Sequence, residues 1–424
     1  MNEGLIQEAD LDEEEEHAVR GTRSLANEEL SMIDKNQTWK LVPRPGKRKV
    51  IQLDVKSAFL NGWISEEILV EQPEGYKVEG KEDHVLSYTR SPNEHTLYLR
   101  KTERGLAVVS LYVDDLLVTG SNPEELDQFK STMQTEFEMT DLGLMKYFLG
   151  MEISQTAGEI FVCQQRYATE ILMKFGMENC KPVDTPLVPN LKLSKTDGVE
   201  RVDEGKYRSL VGGLLYYTAT RPDLMFTASY LSRFMSNPIE LHFKAAKRVL
   251  RYVKGTIMLG ICFRKAKSLK FLGYTNSDRG GSLDDAKSTF GYVFYLNQGV
   301  ICWLSRKQET VAQSTAKAEY VFATAVVNQA IWLRKMLDDL HQVQGGPTLI
   351  MCDNQLAVAM EKDLVLHDRT KHIKIKYHAV REAKQCGEVS LMHYRGEEQV
   401  ADIMTKALCK SKFEALRLEL GVSS

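Results

Sequence analysis

The first 38 residues carry no sustained hydrophobic rhythm: Glu and Asp dominate, and the segment reads as an acidic, disordered leader. Patterning begins near Trp39. A Pro/Gly/basic connector, PRPGKRKV (43–50), leads into VIQLDVKSAF, which alternates as a half-buried strand does, before FLNGW turns. The run HTLYLRKTERGLAVVSLYVDDLLVTG (95–120) predicts an apolar strand pair whose halves flank Asp114 and Asp115. SNPEELDQFKSTMQTEF (121–137) predicts a helix, with Asn122 as cap, Pro123 in the first turn, and Glu124 and Glu125 where the helix dipole favours anions. YFLGMEISQ and GEIFVCQQ predict a hairpin through Ala157 and Gly158.

Residues 164–260 are mostly helical in pattern, interrupted by KPVDTPLVPN and by the turn TRPD. In PIELHFKAAKRVLRYVKG, Leu241, Ala245, Val249 and Tyr252 form an apolar stripe, and Lys244, Lys247, Arg248, Arg251 and Lys254 occupy the other faces. That basic face has two readings, a solvated surface or a groove for a phosphate backbone. From residue 269 the pattern changes to three strands (LKFLGYTN, TFGYVFYL, GVICWLS), then a long helix from Ser314 to Leu340. The strand TLIMC, the helix NQLAVAME, a helix over 374–386, the strand EVSLMHY and a last helix over 398–408 complete a mixed α/β order. A separate C-terminal domain is expected, with its boundary within 262–268.

Composition narrows the class. The 424 residues are 43% hydrophobic and 27% charged, enough for two or three packed domains. Lys plus Arg number 55 against 58 Asp plus Glu, but residues 1–34 hold 11 acidic and 2 basic side chains, so the body is mildly basic. The seven cysteines are never closer than 17 residues apart, which excludes zinc-finger and CxxC spacings and predicts a reduced intracellular protein, cytoplasmic or nuclear. The N-terminus lacks the basic start and apolar core of a signal peptide, and no 18-residue apolar run predicts a membrane span.

Adjacent carboxylates inside LAVVSLYVDDLLVTG are costly unless a cation, hydrogen-bond donors or an exposed turn compensates them. One reading is a plain hairpin tip. The other joins Asp114 and Asp115 to Asp54 of VIQLDV in a two-Mg²⁺ site for in-line phosphoryl transfer, because hard cations take carboxylate oxygens.

LDVKSAFLNG, EEILVEQPEGY, SLYVDDLLVTG, LGLMKYFLGMEI, YRSLVGGLLYYTATRPDLMF and AAKRVLRYVKGT, in that order, resemble the polymerase and following region of copia-type LTR retrotransposons. The resemblance covers nearly everything from Trp39. It implies that Asp54, Asp114 and Asp115 descend from the polymerase aspartates, and that Phe148, Leu149 and Gly150 descend from the turn supporting the primer terminus. Two family segments are missing. Only PRPGKRKVIQ precedes LDVKSAFLNG where the family has a long fingers segment, and LSYTRSPNEHTLY stands where it has a palm loop and aromatic helix. Without fingers the aspartates lack the parts that orient the nucleotide and exclude water.

In the C-terminal region, Glu319 lies near the start of the long helix, Asp353 directly follows TLIMC at a strand's carboxyl end, and Asp402 lies in EEQVADIMTKAL. Each also reads as an ordinary helix-start or strand-end acid. FLGYTNSDRGG, KSTFGYVFYL, VICWLSRKQETVAQSTAKAEY, AIWLRKMLDDL, IMCDNQLAVA, HDRTKHI and QVADIMTKAL resemble the RNase H domain that ends copia-type polyproteins. By that resemblance Glu319, Asp353 and Asp402 match three of four metal-binding carboxylates, and Asn276 stands at the position of the first. An amide brings no negative charge to a hard cation. Asp278 replaces it only if the strand shifts by two residues, and Lys317 stands where the family usually has a further glutamate. The basic run HDRTKHIKIKYHAVREAKQ is a solvated face or a nucleic-acid contact, and the resemblance marks His372 as a product-release or proton-transfer group.

The expected architecture is an α+β and α/β multidomain chain: leader 1–38, truncated reverse-transcriptase palm 39–150, helical thumb or connection 151–264 and RNase H-like domain 265–424. The implied activity is Mg²⁺-dependent DNA synthesis and RNA–DNA hybrid cleavage, with polymerisation lost and cleavage impaired. The rival reading is a noncatalytic nucleic-acid-binding or structural remnant. Nucleic acid, foremost an RNA–DNA hybrid, is the expected partner, together with other retroelement proteins, and the sequence specifies no oligomeric state.

Overall fold

VIQLDV and the apolar stretches within 97–120 form antiparallel strands, and in β5 burial alternates along the strand. The computed structural model describes residues 50–55, 88–102, 105–113, 115–136, 139–196, 200–266, 268–278, 280–308, 315–353, 381–394 and 398–424. They form a mixed α/β multidomain protein with open sheets, in two compact units that divide at Leu144 and Met145, residues 92–94 going with the second.

In the first unit, β1 (Val50–Val55), β2 (Thr89–Arg90), β3 (Leu97–Thr102), β4 (Gly105–Tyr112), β5 (Asp115–Gly120) and β6 (Met139–Leu144) form one sheet in the order β2-β3-β4-β5-β1-β6. The run expected to be a strand pair is three strands, because it turns twice. Helix α1 (Pro123–Glu136) packs Leu126, Phe129 and Met133, spaced by helical turns, onto Ala107, Val109, Leu116 and Val118. The helix begins at Pro123, but Asn122 does not cap it: its Oδ1 is buried without a hydrogen-bond partner.

The second unit opens with β7 (Tyr147–Phe148), β8 (Met151–Gln155) and β9 (Glu159–Cys163). Leu149 and Gly150 close the β7–β8 hairpin at φ 48° and 77°, a two-residue turn with both centres left-handed. The Tyr216 hydroxyl donates to the Leu149 carbonyl at 2.8 Å, and a Cβ on Gly150 would lie 1.7 Å from that hydroxyl oxygen, so only glycine fits. Helices α2 (Gln165–Lys174), α3 (Glu204–Tyr217), α4 (Met225–Ser232) and α5 (Glu240–Gly255) follow, then β10 (Gly260–Arg264). A five-stranded sheet, β13-β12-β11-β14-β15, comprises β11 (Phe271–Ser277), β12 (Thr289–Leu296), β13 (Gly299–Lys307), β14 (Thr348–Cys352) and β15 (Val389–His393). The long helix α6 (Thr315–Asp339) covers it through Val326, Val327, Ala330, Leu333 and Leu337.

The end of the chain departs from expectation. The helix expected over 398–408 is a short 3₁₀ helix, Val400–Met404, followed by α7 (Lys410–Glu419) and β16 (Val422–Ser423), which pairs with β10. One apolar cluster joins α3 and α5 (Leu210, Leu214, Val249, Val253) to Val293 and Val300 of the C-terminal sheet and to Phe413 of α7. It therefore continues across the 262–268 stretch. Among the described residues no helix is long and apolar enough to cross a membrane.

The TRPD turn carries a fully buried ion pair. Arg221 grips Asp223 through Nε–Oδ1 (2.9 Å) and Nη2–Oδ2 (2.8 Å), and also donates to the Thr256 carbonyl at the end of α5 (3.0 Å). The Tyr252 hydroxyl donates to Asp223 Oδ2 at 2.7 Å, and Arg417 of α7 donates to that same hydroxyl oxygen at 3.2 Å. Burial alone would raise the Asp223 carboxyl; Arg221 and these donors hold it below its ordinary value. Asp223→Ala strands a buried guanidinium and is expected to cost about 3–5 kcal/mol at neutral pH. A depressed carboxyl stabilises above its unfolded-state pKa and loses that contribution as pH falls through the folded-state value. Urea unfolding of the two proteins should therefore begin to converge as pH falls below about 4 and meet only below the depressed folded-state value.

Candidate functional site

Strands β1 and β5 pair antiparallel with Asp54 directly opposite Asp115, which places their Cα atoms about 4.5–5.5 Å apart. In the same register Leu53 stands opposite Leu116 and Ile51 opposite Val118. Tyr112 pairs with Asp115, so β4 and β5 are separated by two positions, of which Val113 is described. Val113 sits at φ 52° and is 60% exposed. A turn selected only to close a hairpin takes Gly, Asn or Asp there, because a β-branched residue in the left-handed region is strained. Asp114 lies outside the described residues, and of Asp54 only the backbone is described.

Of the second set, Asn276, Asp353 and Asp402 are described near the carboxyl end of the C-terminal sheet. Strands β11 and β14 run parallel to a last pair, Thr275↔Cys352, and Asn276 and Asp353 are the next residue on each. Asp402 arrives from the 3₁₀ helix, which Gln399 fastens to β11: its Nε2 donates to the Thr275 carbonyl at 3.1 Å, and its Oε1 accepts from the Ala401 N–H. Glu319 lies on α6, with its side chain outside what is described, and His372 lies outside the described residues.

Asn276 and Asp402 are 3% and 1% exposed and touch each other. Asn276 Nδ2 donates to Asp402 Oδ1 at 2.5 Å and to Thr405 Oγ1 at 3.2 Å, while its Oδ1 accepts from the Ser277 N–H at 2.7 Å. The amide thus turns its donor, not its carbonyl, toward the carboxylate. The remaining Asp402 valence is taken by two ammonium groups, Lys406 Nζ at 2.6 Å from Oδ1 and Lys412 Nζ at 2.7 Å from Oδ2. Asp278 is not part of this group: it accepts from the Thr289 N–H, and burial pushes its carboxyl up to about 6 against that bond and the Arg233 charge.

This arrangement does not fit a divalent cation. A hard cation needs converging oxygens with net negative charge. Here an N–H donor and two ammonium groups converge on one carboxylate. Among the described residues no group of three or more His, Cys, Asp or Glu side chains is placed to hold a metal. Sequence reasoning did not single out Lys406, Lys412, Thr405 or Gln399. The i,i+4 spacing of Asp402 and Lys406 is a readable signal, whereas Lys412 depends on a chain reversal.

Residues 84–189 match the family described as reverse transcriptase (RNA-dependent DNA polymerase). The chain is 35% identical over 415 residues to a retrovirus-related Pol polyprotein from a Nicotiana tabacum transposon, covering 89% of this chain and 31% of that protein. It is 32% identical over 305 residues to a putative transposon Ty5-1 protein of Saccharomyces cerevisiae, covering 65% of this chain and 99% of that protein. A foamy viral protease-reverse transcriptase solved with an RNA/DNA hybrid is 11% identical with a TM-score of 0.43, covering 85% of this chain and 46% of that one. The chain thus spans about a third of the tobacco polyprotein's length.

Replacing the amide by a carboxylate removes a buried donor and sets two carboxylates face to face. Asn276→Asp is expected to lose about 1–3 kcal/mol in EDTA, and millimolar Mg²⁺ should recover part of that loss. Thermal unfolding with and without Mg²⁺ checks both effects, and the Mg²⁺ response should be smaller in the parent.

Proposed function

Because the chain belongs to the copia-type family of retrotransposon Pol polyproteins, with reverse-transcriptase and RNase H-like regions, we propose that it is a degenerate RNA-directed DNA polymerase and ribonuclease H fragment. On this reading it retains nucleic-acid binding, does not polymerise, and is impaired in cleaving RNA–DNA hybrids. The observation that carries the reading is the Asp402 cluster, in which two lysines supply positive charge and Asn276 a hydrogen-bond donor where a metal ion would otherwise stand. The proposal assigns ancestral Mg²⁺ positions to Asp54, Asp114 and Asp115 in the palm, and to Asn276, Glu319, Asp353 and Asp402 in the RNase H-like region, with His372 as an accessory group. It also keeps the module limits 39–150, 151–264 and 265–424.

The register of Asp54 against Asp115 supports descent from a polymerase palm. The short connector before LDVKSAFLNG supports loss of nucleotide handling, since aspartates alone cannot orient a triphosphate. The same Asp402 cluster also favours the rival reading, a noncatalytic binder in which the RNase H-like sheet is scaffold. The two differ in whether any cleavage remains.

The test is single-turnover cleavage of an RNA–DNA hybrid in Mg²⁺ by the parent, Asn276→Asp and Asp353→Ala proteins, with hybrid affinity measured on the same duplex. Asn276→Asp should cleave about 10²-fold faster than the parent, equivalent to about 3 kcal/mol of barrier, with little change in affinity. Parent cleavage at the restored rate would refute impairment, and parent cleavage equal to Asp353→Ala would select the noncatalytic reading. Primer extension by the parent should not exceed that of Asp114→Ala.

A further inference from the structure

Helix α5 is two-faced. Its inner side buries His242, Phe243, Ala245, Ala246, Val249, Leu250, Tyr252 and Val253 in the apolar cluster of the second unit, which fixes its orientation. The remaining face carries Lys244, Lys247, Arg248, Arg251 and Lys254, all exposed or half-buried. These five cations lie within eleven residues of helix, about 15 Å of axis. Among the described residues Glu240 is the one carboxylate ion-paired to the stripe, with Lys244 at 3.6 Å.

A face kept only for solubility mixes charges of both signs. Here the neighbouring groups position the cations without neutralising them. Arg251 Nε donates to the Lys181 carbonyl at 2.7 Å, and Arg248 Nη2 donates to Thr185 Oγ1 at 3.0 Å, both neutral acceptors. Arg248 Nε is buried with no hydrogen-bond partner. The nearby carboxylate of Asp184 is held by Lys410 of α7 at 2.9 Å, which adds a further cation beside the stripe. Partial burial and then the Arg251 charge hold the Arg248 guanidinium below its ordinary value, against the opposing pull of the Asp184 carboxylate.

We infer that the outer face of α5 is the duplex-contacting surface of the second unit, taking the phosphate backbone of an RNA–DNA hybrid along Lys244, Lys247, Arg248, Arg251 and Lys254. The inference rests on the nucleic-acid-binding reading above and gives it a place. A duplex presents one phosphate per about 1.7 Å of axis, so about nine lie along 15 Å, enough for five cations. Contacts of this kind read charge and spacing, not base sequence.

Fluorescence anisotropy of a labelled RNA–DNA hybrid with the full chain, over a series of salt concentrations, tests the inference. The triple variant Lys244→Gln, Lys247→Gln, Lys254→Gln leaves the two positioned arginines in place. It should weaken binding at least tenfold and reduce the slope of log K against log salt by about 2–3, close to 0.9 per lost phosphate contact. The matching triple Lys→Arg variant should bind as the parent does, and an unchanged unfolding midpoint for both variants excludes misfolding. If the parent binds with a steep salt slope and the Lys→Gln protein matches it, the surface is elsewhere and the inference fails while the binding reading stands. If the parent does not bind the hybrid even at low salt, the binding reading itself fails. Binding to phosphatidylserine vesicles but not to hybrid would replace the proposed partner with a membrane surface.

Discussion

A carboxylate taken out of water must be given donors or a counter-charge, and Asp402 is the place where this chain's architecture answers that demand. The side chain is 2% exposed. Its oxygens are met by the Asn276 amide from the central strand, Lys406 one helical turn on, and Lys412 from α7. The requirement therefore draws the 3₁₀ helix onto β11 and brings the start of α7 back toward the sheet. Asn276 makes this self-sufficient: with its carbonyl committed to the Ser277 N–H, its donor takes the place that a cation would have between two carboxylates.

The Arg221–Asp223 pair solves the same problem differently. Both partners are fully buried and complementary in a bidentate grip, so charge is balanced internally and the pair ties the TRPD turn to α5 and, through Tyr252 and Arg417, to α7. At Asp402 the lysines are 49% and 31% exposed, so the cluster stays open to solvent on its cationic side. One arrangement is pure scaffold. The other keeps the shape of a site at a strand end with its polarity reversed.

Much of this was legible in the sequence. The strand and helix periods gave β1, β8, β9, β11–β15 and α1–α6; two-sided burial is clear in β5 and α5, whereas β12 is buried along most of its length. The sequence placed Asn276 and Asp353 at the ends of neighbouring apolar strands, and the structure adds the contact of Asn276 with Asp402. What the sequence hid depends on packing between distant segments. Residues 97–120 turn twice where the apolar run suggested one turn, and α7 with β16 lay beyond the last motif, where Val422 is buried only because β10 is there to receive it. Lys412 could not be placed beside Asp402 without knowing that the chain reverses after Met404. Asn122 looked like a cap by type and position, yet its Oδ1 makes no such bond.

The central claim is that ammonium and amide groups already compensate Asp402, so that a divalent ion gains little by binding at the end of β11 and β14. A Mn²⁺ titration followed by electron paramagnetic resonance, on the parent and on Asp353→Asn, tests this without relying on turnover. The account predicts superimposable binding curves for the two proteins. Loss of one bound Mn²⁺ on Asp353→Asn would show that a cation does bind there and would contradict the account.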